Sequence, residues 1–374
     1  MIKKGISNLQ VKNYNKKRII NLLYQKNEVT RQDISRILGL SLPTVTQVLK
    51  ELCEIGLVKE AGTLASSGGR KPTLNAIQYD AKLSVGIEIT KNAVRLALID
   101  LSGKVLDHSL VQKGFENTGA YFDALSDLAD RLIRRNKVAP DTVLGVGLAI
   151  PGIISKHEGM VEFLPTLGVK NLPVRRIEEH FSYPVMIDNE ANLAGFAEIW
   201  NIRHLNDAVF LSINKGVGGA IILSDTIYDG RHYRAGEFGH MTIIKDGREC
   251  SCGKRGCLEA YCSTNVLSVR EGEDVTEFFS HLKEGEGAYV GIWDEYLDNL
   301  SICINNIRMM FDVDVIIGGR IQRYIADYIE QLNQKVHERN SFSDPAEYIH
   351  ISKYGERASA VGGALLLVND FLNN

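Results

Sequence analysis

The sequence predicts an α/β protein in which a winged helix-turn-helix precedes a larger body of two α/β lobes, and three observations predict it. Capped helix patterns meet at Gly39 and are followed by two strand-like pieces around a Gly-Arg-Lys-Pro tip. From Leu83 onward hydrophobic runs of strand length take over, and a set of strands followed by a helix occurs twice. At 374 residues and 44% hydrophobic content, the chain can bury two or three real cores. The expected divisions are a head over residues 1–79, a first lobe over 80–190 and a second over 191–374, whose C-terminal helix returns to the first lobe.

In the head, Ile19, Ile20, Leu22 and Leu23 give residues 13–24 a helical apolar stripe, with Lys16, Lys17 and Arg18 near its start. Thr30, with Asp33 three residues on, starts a short helix carrying Ile34, Ile37 and Leu38, and Gly39 stops it. Ser41 caps a third helix that tolerates Pro43 in its first turn and turns Val45, Val48, Leu49, Leu52 and Ile55 inward. Its outward positions, Thr44, Thr46, Gln47 and Lys50, join Ser41 as hydrogen-bonding residues suited to major-groove edges and phosphates. Arg70 and Lys71 in the wing tip suit the narrow minor groove of A·T-rich DNA. Charge supports the same reading. Residues 1–79 hold 13 Lys and Arg against 5 Asp and Glu, a net of +8, whereas the rest hold 30 against 41, a net of −11. A solvated basic face is the plainer reading of the charge alone; joined to this architecture it points to DNA.

In the body, SVGIEIT, AVRLALIDL and KVLDHSL read as strands, followed by a helix over residues 121–135. TVLGVGLAI ends at Pro151-Gly152 and YPVMID at Asn189. AVFLSI and GGAIIL open the second set, and DVDVIIGG, a helix from Arg320 and the AVGGALLL segment close the chain. Sites in such folds gather at strand ends and between lobes. There is no run of 18 apolar residues and no charged-then-apolar leader, so a cytoplasmic protein without a membrane partner is expected.

Of the six cysteines, four lie between residues 250 and 262, a spacing that suits metal chemistry better than a disulfide framework. Cys250, Cys252 and Cys257 form a CxCGxxGC loop in which Gly253 and Gly256 let the chain curl so that three thiolates converge. His240 can complete a tetrahedral zinc site, with Cys262 the rival for the fourth position unless it faces the core. Ordinary buried thiols are the plainer reading of each cysteine alone. Three thiolates and an imidazole leave no open position, which makes the expected Zn2+ structural.

These residues together resemble the ROK family of repressors, open reading frames and kinases, and its repressor branch in particular. The resemblance spans nearly the whole chain and rests on TRQDISRILGLSLPTVTQVLKEL, the GGRKP wing, Pro151-Gly152, DNEAN and GEFGH with CxCGxxGCLE. It implies an actin-like body, related to the hexokinase and ribonuclease H folds of ATPases, that binds a sugar between its lobes. Asn189 and Glu190 stand where the family places its Asn-Asp sugar contacts, and Glu237, His240 and Glu259 match the rest of the hydroxyl-binding ring. Such groups discriminate hydroxyls because an unmatched partner is left desolvated. Taken singly, each would pass for a solvated carboxylate or a turn residue. His240 can serve both sites, one ring nitrogen to zinc and the other to a hydroxyl.

Several positions depart from the family's kinases. Where those have Asp-Ile-Gly-Gly-Thr, this chain has Glu88-Ile89-Thr90-Lys91-Asn92, and the second phosphate loop reads Asn214-Lys215-Gly216. Backbone N–H groups reach phosphates only where side chains are absent, so these loops suit nucleotide poorly. Glu190 replaces the aspartate expected as base, and Thr166 and Val169 stand where an Asn and an aromatic are expected. The reading is a non-enzymatic repressor of carbohydrate-utilisation genes that binds operator DNA and is released by a monosaccharide effector. Paired half-sites call for a homodimer, or a homotetramer built from dimers. The alternative is an ATP-dependent sugar kinase with a fused DNA-binding head.

Overall fold

The computed structural model describes residues 8–63, 72–202, 205–342 and 347–373. The head packs helices Asn8–Lys26, Arg31–Leu38 and Leu42–Glu54 on a three-stranded antiparallel sheet in which Thr73–Ile77 lies between Glu28–Thr30 and Val58–Thr63. The short helices form for the local reasons read from sequence. Thr30 accepts the Asp33 N–H, Ser41 accepts that of Thr44, and Gly39 ends the second helix at φ 64°, where a side chain is strained. The wing tip carrying Arg70 and Lys71 lies outside the described residues.

Each lobe is built on a five-stranded sheet, and the two sheets share one topology. In the first, Leu83–Ile89, Ala93–Asp100 and Val105–Gln112 form an antiparallel meander, and Val143–Ile150 and Val185–Asn189 add in parallel on the other side. In the second, Ala208–Ile213, Val217–Leu223 and Thr226–Ile227 form the meander, with Asp314–Gly318 and Ile349–Ile351 parallel beyond it. Burial follows position. Leu83–Ile89 is buried throughout, whereas the edge strand Val105–Gln112 alternates half-buried and exposed residues. A small three-stranded sheet, Ile153–Ser155, Met160–Leu164 and Val169–Pro173, projects from the first lobe.

The C-terminal helix Ala358–Asn373 lies across the first-lobe sheet, and glycine permits the approach. A Cβ on Gly86 would sit 1.6 Å from the Ala360 carbonyl oxygen, and one on Gly147 would sit 1.8 Å from that of Gly363. Backbone cannot yield as a rotamer can, so Gly147→Ala is expected to lower stability by about 3 kcal/mol, read by chemical denaturation. Gly362 and Gly363 are therefore packing glycines: a Cβ on Gly362 would lie 1.9 Å from the Leu193 carbonyl oxygen.

Helix Glu190–Asn201 carries the chain from the first lobe to the second, and the turn at 352–357 carries it back. The head is not loosely tethered. Its Ile19, Leu23 and Leu52 belong to one buried cluster with Ile99 and Leu101 of the first lobe, Phe196 of the crossing helix and Leu365 of the C-terminal helix. Two second-lobe helices, Val275–Lys283 and Gly287–Phe311, were not anticipated from sequence. Their signals were present: a capping box from Asp274 to Glu277, and a helical apolar series from Tyr289 through Trp293, Tyr296 and Leu300 to Ile307. Among the described residues, no helix is long and apolar enough to cross a membrane.

Candidate functional site

The start of helix Glu190–Asn201 faces a cavity of about 260 Å³ between the lobes, and Asn189, Glu190, Glu237, His240 and Glu259 all line it. The sequence separates the first two from the last three by a helix and the three-stranded meander of the second lobe; the lobe-to-lobe crossing brings them together.

Asn189 ends its strand and caps the helix. Its Oδ1 accepts the N–H groups of Ala191 at 2.7 Å and Asn192 at 3.2 Å, and its Nδ2 donates to the Gly152 carbonyl at 2.9 Å. Much of its hydrogen-bonding capacity thus fixes the cavity wall. Glu190 is different. Its Oε2 is buried with no hydrogen-bond partner, and burial, reinforced by the charges of Glu88 and Glu237, pushes its carboxyl up to about 8. Burial raises Glu237 as well, Glu259 adding to the shift and His240 opposing it. Glu259 is pinned at both oxygens: Val217 N–H donates to Oε2 at 2.9 Å and the Ser251 hydroxyl to Oε1 at 2.7 Å.

Sequence reasoning missed a second set of polar residues: Asp188, Asn192 and Asp229 line the cavity, and Lys156, outside its lining, ties them together. Lys156 of the projecting hairpin pairs with Asp188 at 2.6 Å and with second-lobe Asp229 at 2.9 Å, and Asn192 donates to both carboxylates. Burial alone would lower the Lys156 pKa, but the two carboxylates outweigh it and hold the ammonium charged. Tyr233 also lines the cavity, its hydroxyl accepting the His157 N–H at 3.2 Å. Asp188 and Asn192 flank the recognised pair within DNEAN and were legible; Lys156, Asp229 and Tyr233 sit in loops with no local pattern.

His240, Cys250, Cys252 and Cys257 bring one donor atom each to within 4.8 Å of one another. Cys252 Sγ and Cys257 Sγ are 3.8 Å apart, far beyond a disulfide and close to the edge, about 3.8 Å, of a tetrahedron with Zn–S bonds of about 2.3 Å. The loop closes because Gly253 and Gly256 take φ of 77° and 81°; a Cβ on Gly256 would strike the Ile244 carbonyl oxygen at 1.7 Å. His240 turns Nδ1 toward Cys250 Sγ at 3.9 Å and also lines the cavity, so it borders both sites. Cys262 stands apart, fully buried against Tyr296. The donor set can hold a metal ion.

Beside this cavity lies another of about 430 Å³ that shares Glu190, Ser212, Asn214 and Gly216 with it and is lined by both altered loops. Part of its charge is paired internally. Arg95 joins Glu88 at 3.0 Å to Glu356 at 3.2 Å, and burial raises the Glu88 carboxyl although Arg95 opposes the shift. Lys91 and Lys215 also line it.

On the head, Gln47 and Lys50 are exposed and Thr44 and Thr46 half-buried along one side of helix Leu42–Glu54. Ser41 is exposed, and its hydroxyl lies 2.8 Å from that of Thr44. Gln47 donates to Glu51 at 3.3 Å, while Lys50 lies 3.9 Å from Glu54, an exposed pair weak enough to exchange for another anion.

The sequence profile of the ROK family matches residues 84–370, and that of a winged helix-turn-helix DNA-binding domain matches residues 12–59. A xylose repressor of Bacillus spizizenii is 33% identical over 263 residues, covering 69% of this chain and 67% of that protein. One of Caldicellulosiruptor bescii is 28% identical over 389 residues, 97% of each. Among solved structures, a ROK family transcriptional regulator, a homolog of the E. coli MLC protein, superposes with a TM-score of 0.78 over 97% of this chain and 96% of that one, at 22% identity. The winged head and actin-like body expected from sequence are thereby borne out as a fold.

Proposed function

The chain belongs to the ROK family, and on that premise we propose that it is a sugar-responsive transcriptional repressor. Its winged head binds operator DNA, and a monosaccharide between the lobes releases it. The observation that carries this reading is one chain that joins a helix-turn-helix to an interlobe cavity ringed by Asn189, Glu190, Glu237, His240 and Glu259. Carboxylates, an amide and an imidazole make the fixed, paired hydrogen bonds that sugar hydroxyls need. Xylose is the first effector to try, given what the relatives are named for. Ser41, Thr44, Thr46, Gln47 and Lys50 face DNA, with Arg70 and Lys71 reaching the minor groove. Two heads on paired half-sites imply a homodimer or a tetramer of such dimers, working in the cytoplasm on carbohydrate-utilisation genes.

The metal suited to His240, Cys250, Cys252 and Cys257 is Zn2+, since thiolates and imidazole prefer it and four protein donors close the shell. A closed shell makes it structural. The reading also holds that the chain is not a kinase. In support of this, Arg95 is held by Glu88 and Glu356 in the second cavity, and Thr90 and Lys91 stand where the family's kinases carry glycines.

The test is a gel shift with a duplex selected by the full chain from a random library, titrated with D-xylose and a panel of other pentoses and hexoses. An active sugar is expected to weaken binding about tenfold or more. Unchanged affinity across the panel would end the sugar reading. In a coupled assay for ADP release, turnover on the order of 1 per second would restore the kinase.

A further inference from the structure

Helix Glu190–Asn201 touches every part of the molecule that a switch must join. Its first turn is in the cavity, where Asn189 caps it and Glu190 faces in. Its last turn is at the head, with Trp200 about 15 Å along the axis from Glu190 at 1.5 Å per residue. There Trp200 Nε1 donates to the hydroxyl of Tyr24 on helix Asn8–Lys26 at 2.9 Å. The two rings meet edge to face with centroids 5.7 Å apart, and Tyr24 in turn meets Tyr79 at 6.0 Å.

Between these ends the helix has no room to slide. A Cβ on Gly195 would lie 2.9 Å from the Cβ atoms of Phe210 and Ala220, which seats it on the second-lobe sheet. On another side, Leu193 backs onto Gly362 of the C-terminal helix. Glu198 is wholly buried, yet its carboxylate is satisfied: the Ser352 hydroxyl donates at 2.6 Å, Lys353 N–H at 2.9 Å and Tyr354 N–H at 2.9 Å. Those donors are the segment by which the chain returns from strand Ile349–Ile351 to helix Ala358–Asn373. Glu198 therefore ties the outward crossing between lobes to the return crossing. Tyr354 extends the tie, its hydroxyl donating to the Gly103 carbonyl at 3.3 Å in the turn beside Trp200.

We infer that helix Glu190–Asn201 is the rod that carries sugar occupancy to the DNA-binding head, and that the Trp200–Tyr24 contact is its output. The inference rests on the sugar-responsive reading. A rigid helix held at Glu198 and moved at its first turn must turn at its last, and packed cores respond to such displacements by switching rather than by gradual deformation. Trp200 and Tyr24 act as positioning residues; neither touches sugar or DNA. The competing route is the end of the C-terminal helix, where Asn21 donates to Asn373 Oδ1 at 3.4 Å and Lys17 to its carbonyl at 3.3 Å.

The experiment uses the full chain with Tyr24→Phe, which keeps the ring and removes the hydroxyl, Trp200→Phe, and Asn373→Ala for the competing route. D-xylose affinity is measured by calorimetry, and affinity for the selected duplex with and without D-xylose. In Tyr24→Phe and Trp200→Phe, D-xylose affinity is expected to stay within about twofold of native, while the sugar-dependent loss of DNA affinity, on the order of tenfold in the native chain, falls to about twofold. Full response in both variants, or loss of response only in Asn373→Ala, overturns the inference. If calorimetry shows that the native chain does not bind D-xylose, xylose fails as the effector separately, and coupling is read from DNA alone. Duplex binding must then change the emission of Trp200, identified as the signal missing in Trp200→Phe, and Tyr24→Phe must remove most of that change. An emission indifferent to DNA overturns the inference without any sugar.

Discussion

Replacing Cys252 with Ser is expected to release the metal and abolish the sugar response in one step. The serine hydroxyl is a poor substitute for a thiolate, and losing one of four donors turns a closed shell into an open one. Structural zinc in small knuckles is worth on the order of 10 kcal/mol at neutral pH, so the loop has little else of comparable size to hold it. The consequence reaches the cavity through two residues. His240 borders both sites, and Ser251, between two of the cysteines, donates the hydrogen bond that fixes Glu259 Oε1. Freed from the metal, the knuckle releases His240 and Glu259 together, and a sugar loses two of its expected partners. Metal content by atomic emission and sugar affinity by calorimetry are the paired measurements. Normal sugar affinity in a metal-free variant would make the knuckle peripheral, and native metal content in Cys252→Ser would remove Cys252 from the set.

What the sequence disclosed divides by the range of the interaction responsible. Caps and turns at Thr30, Gly39 and Ser41 are contacts between residues a few positions apart, and they appear as expected. The cysteine knuckle is equally local, so its glycines and spacing announced it. Asn189, Glu190, Glu237, His240 and Glu259 came from a family resemblance, because no periodicity reveals that residues from different lobes share one cavity. Lys156 stayed hidden for the same reason: its partners, Asp188 and Asp229, come from different lobes. From sequence alone, Gly362 and Gly363 fit a relic of a phosphate site as well as helix packing, since both need a bare backbone; the opposing Leu193 and Gly147 decide for packing. Helix Glu190–Asn201 was not read from sequence beyond the DNEAN motif at its start, and its far end at Trp200 has meaning only beside Tyr24.

Glu190→Gln is expected to stabilise the protein, and to do so in a pH-dependent way whose sign is fixed by the buried carboxyl. Burial first, and the charges of Glu88 and Glu237 after it, raise this group from 4.5 to about 8, while its backbone hydrogen bond opposes the shift only in part. Between those values the folded chain binds a proton that the unfolded chain has lost, so stability falls as pH rises from about 4.5 to about 8 and is lowest above that window. At 1.36 kcal/mol per unit, the full penalty is on the order of 3–5 kcal/mol. Glutamine has nearly the same shape and never ionises. The variant should therefore melt roughly 3–6 °C above native at pH 9 and within about a degree of it at pH 4.5. Comparing native and variant at each pH cancels every other titrating group. The orphaned Oε2 adds a second consequence for the proposed ligand. A sugar hydroxyl donating to it would favour the ionised form, so sugar binding should release protons and tighten from pH 6 to pH 8.5 in the native chain and be flat in Glu190→Gln. A melting difference that is the same at pH 4.5 and pH 9 would mean that Glu190 is not the strained acid, and a flat affinity profile in both proteins would place the sugar away from it.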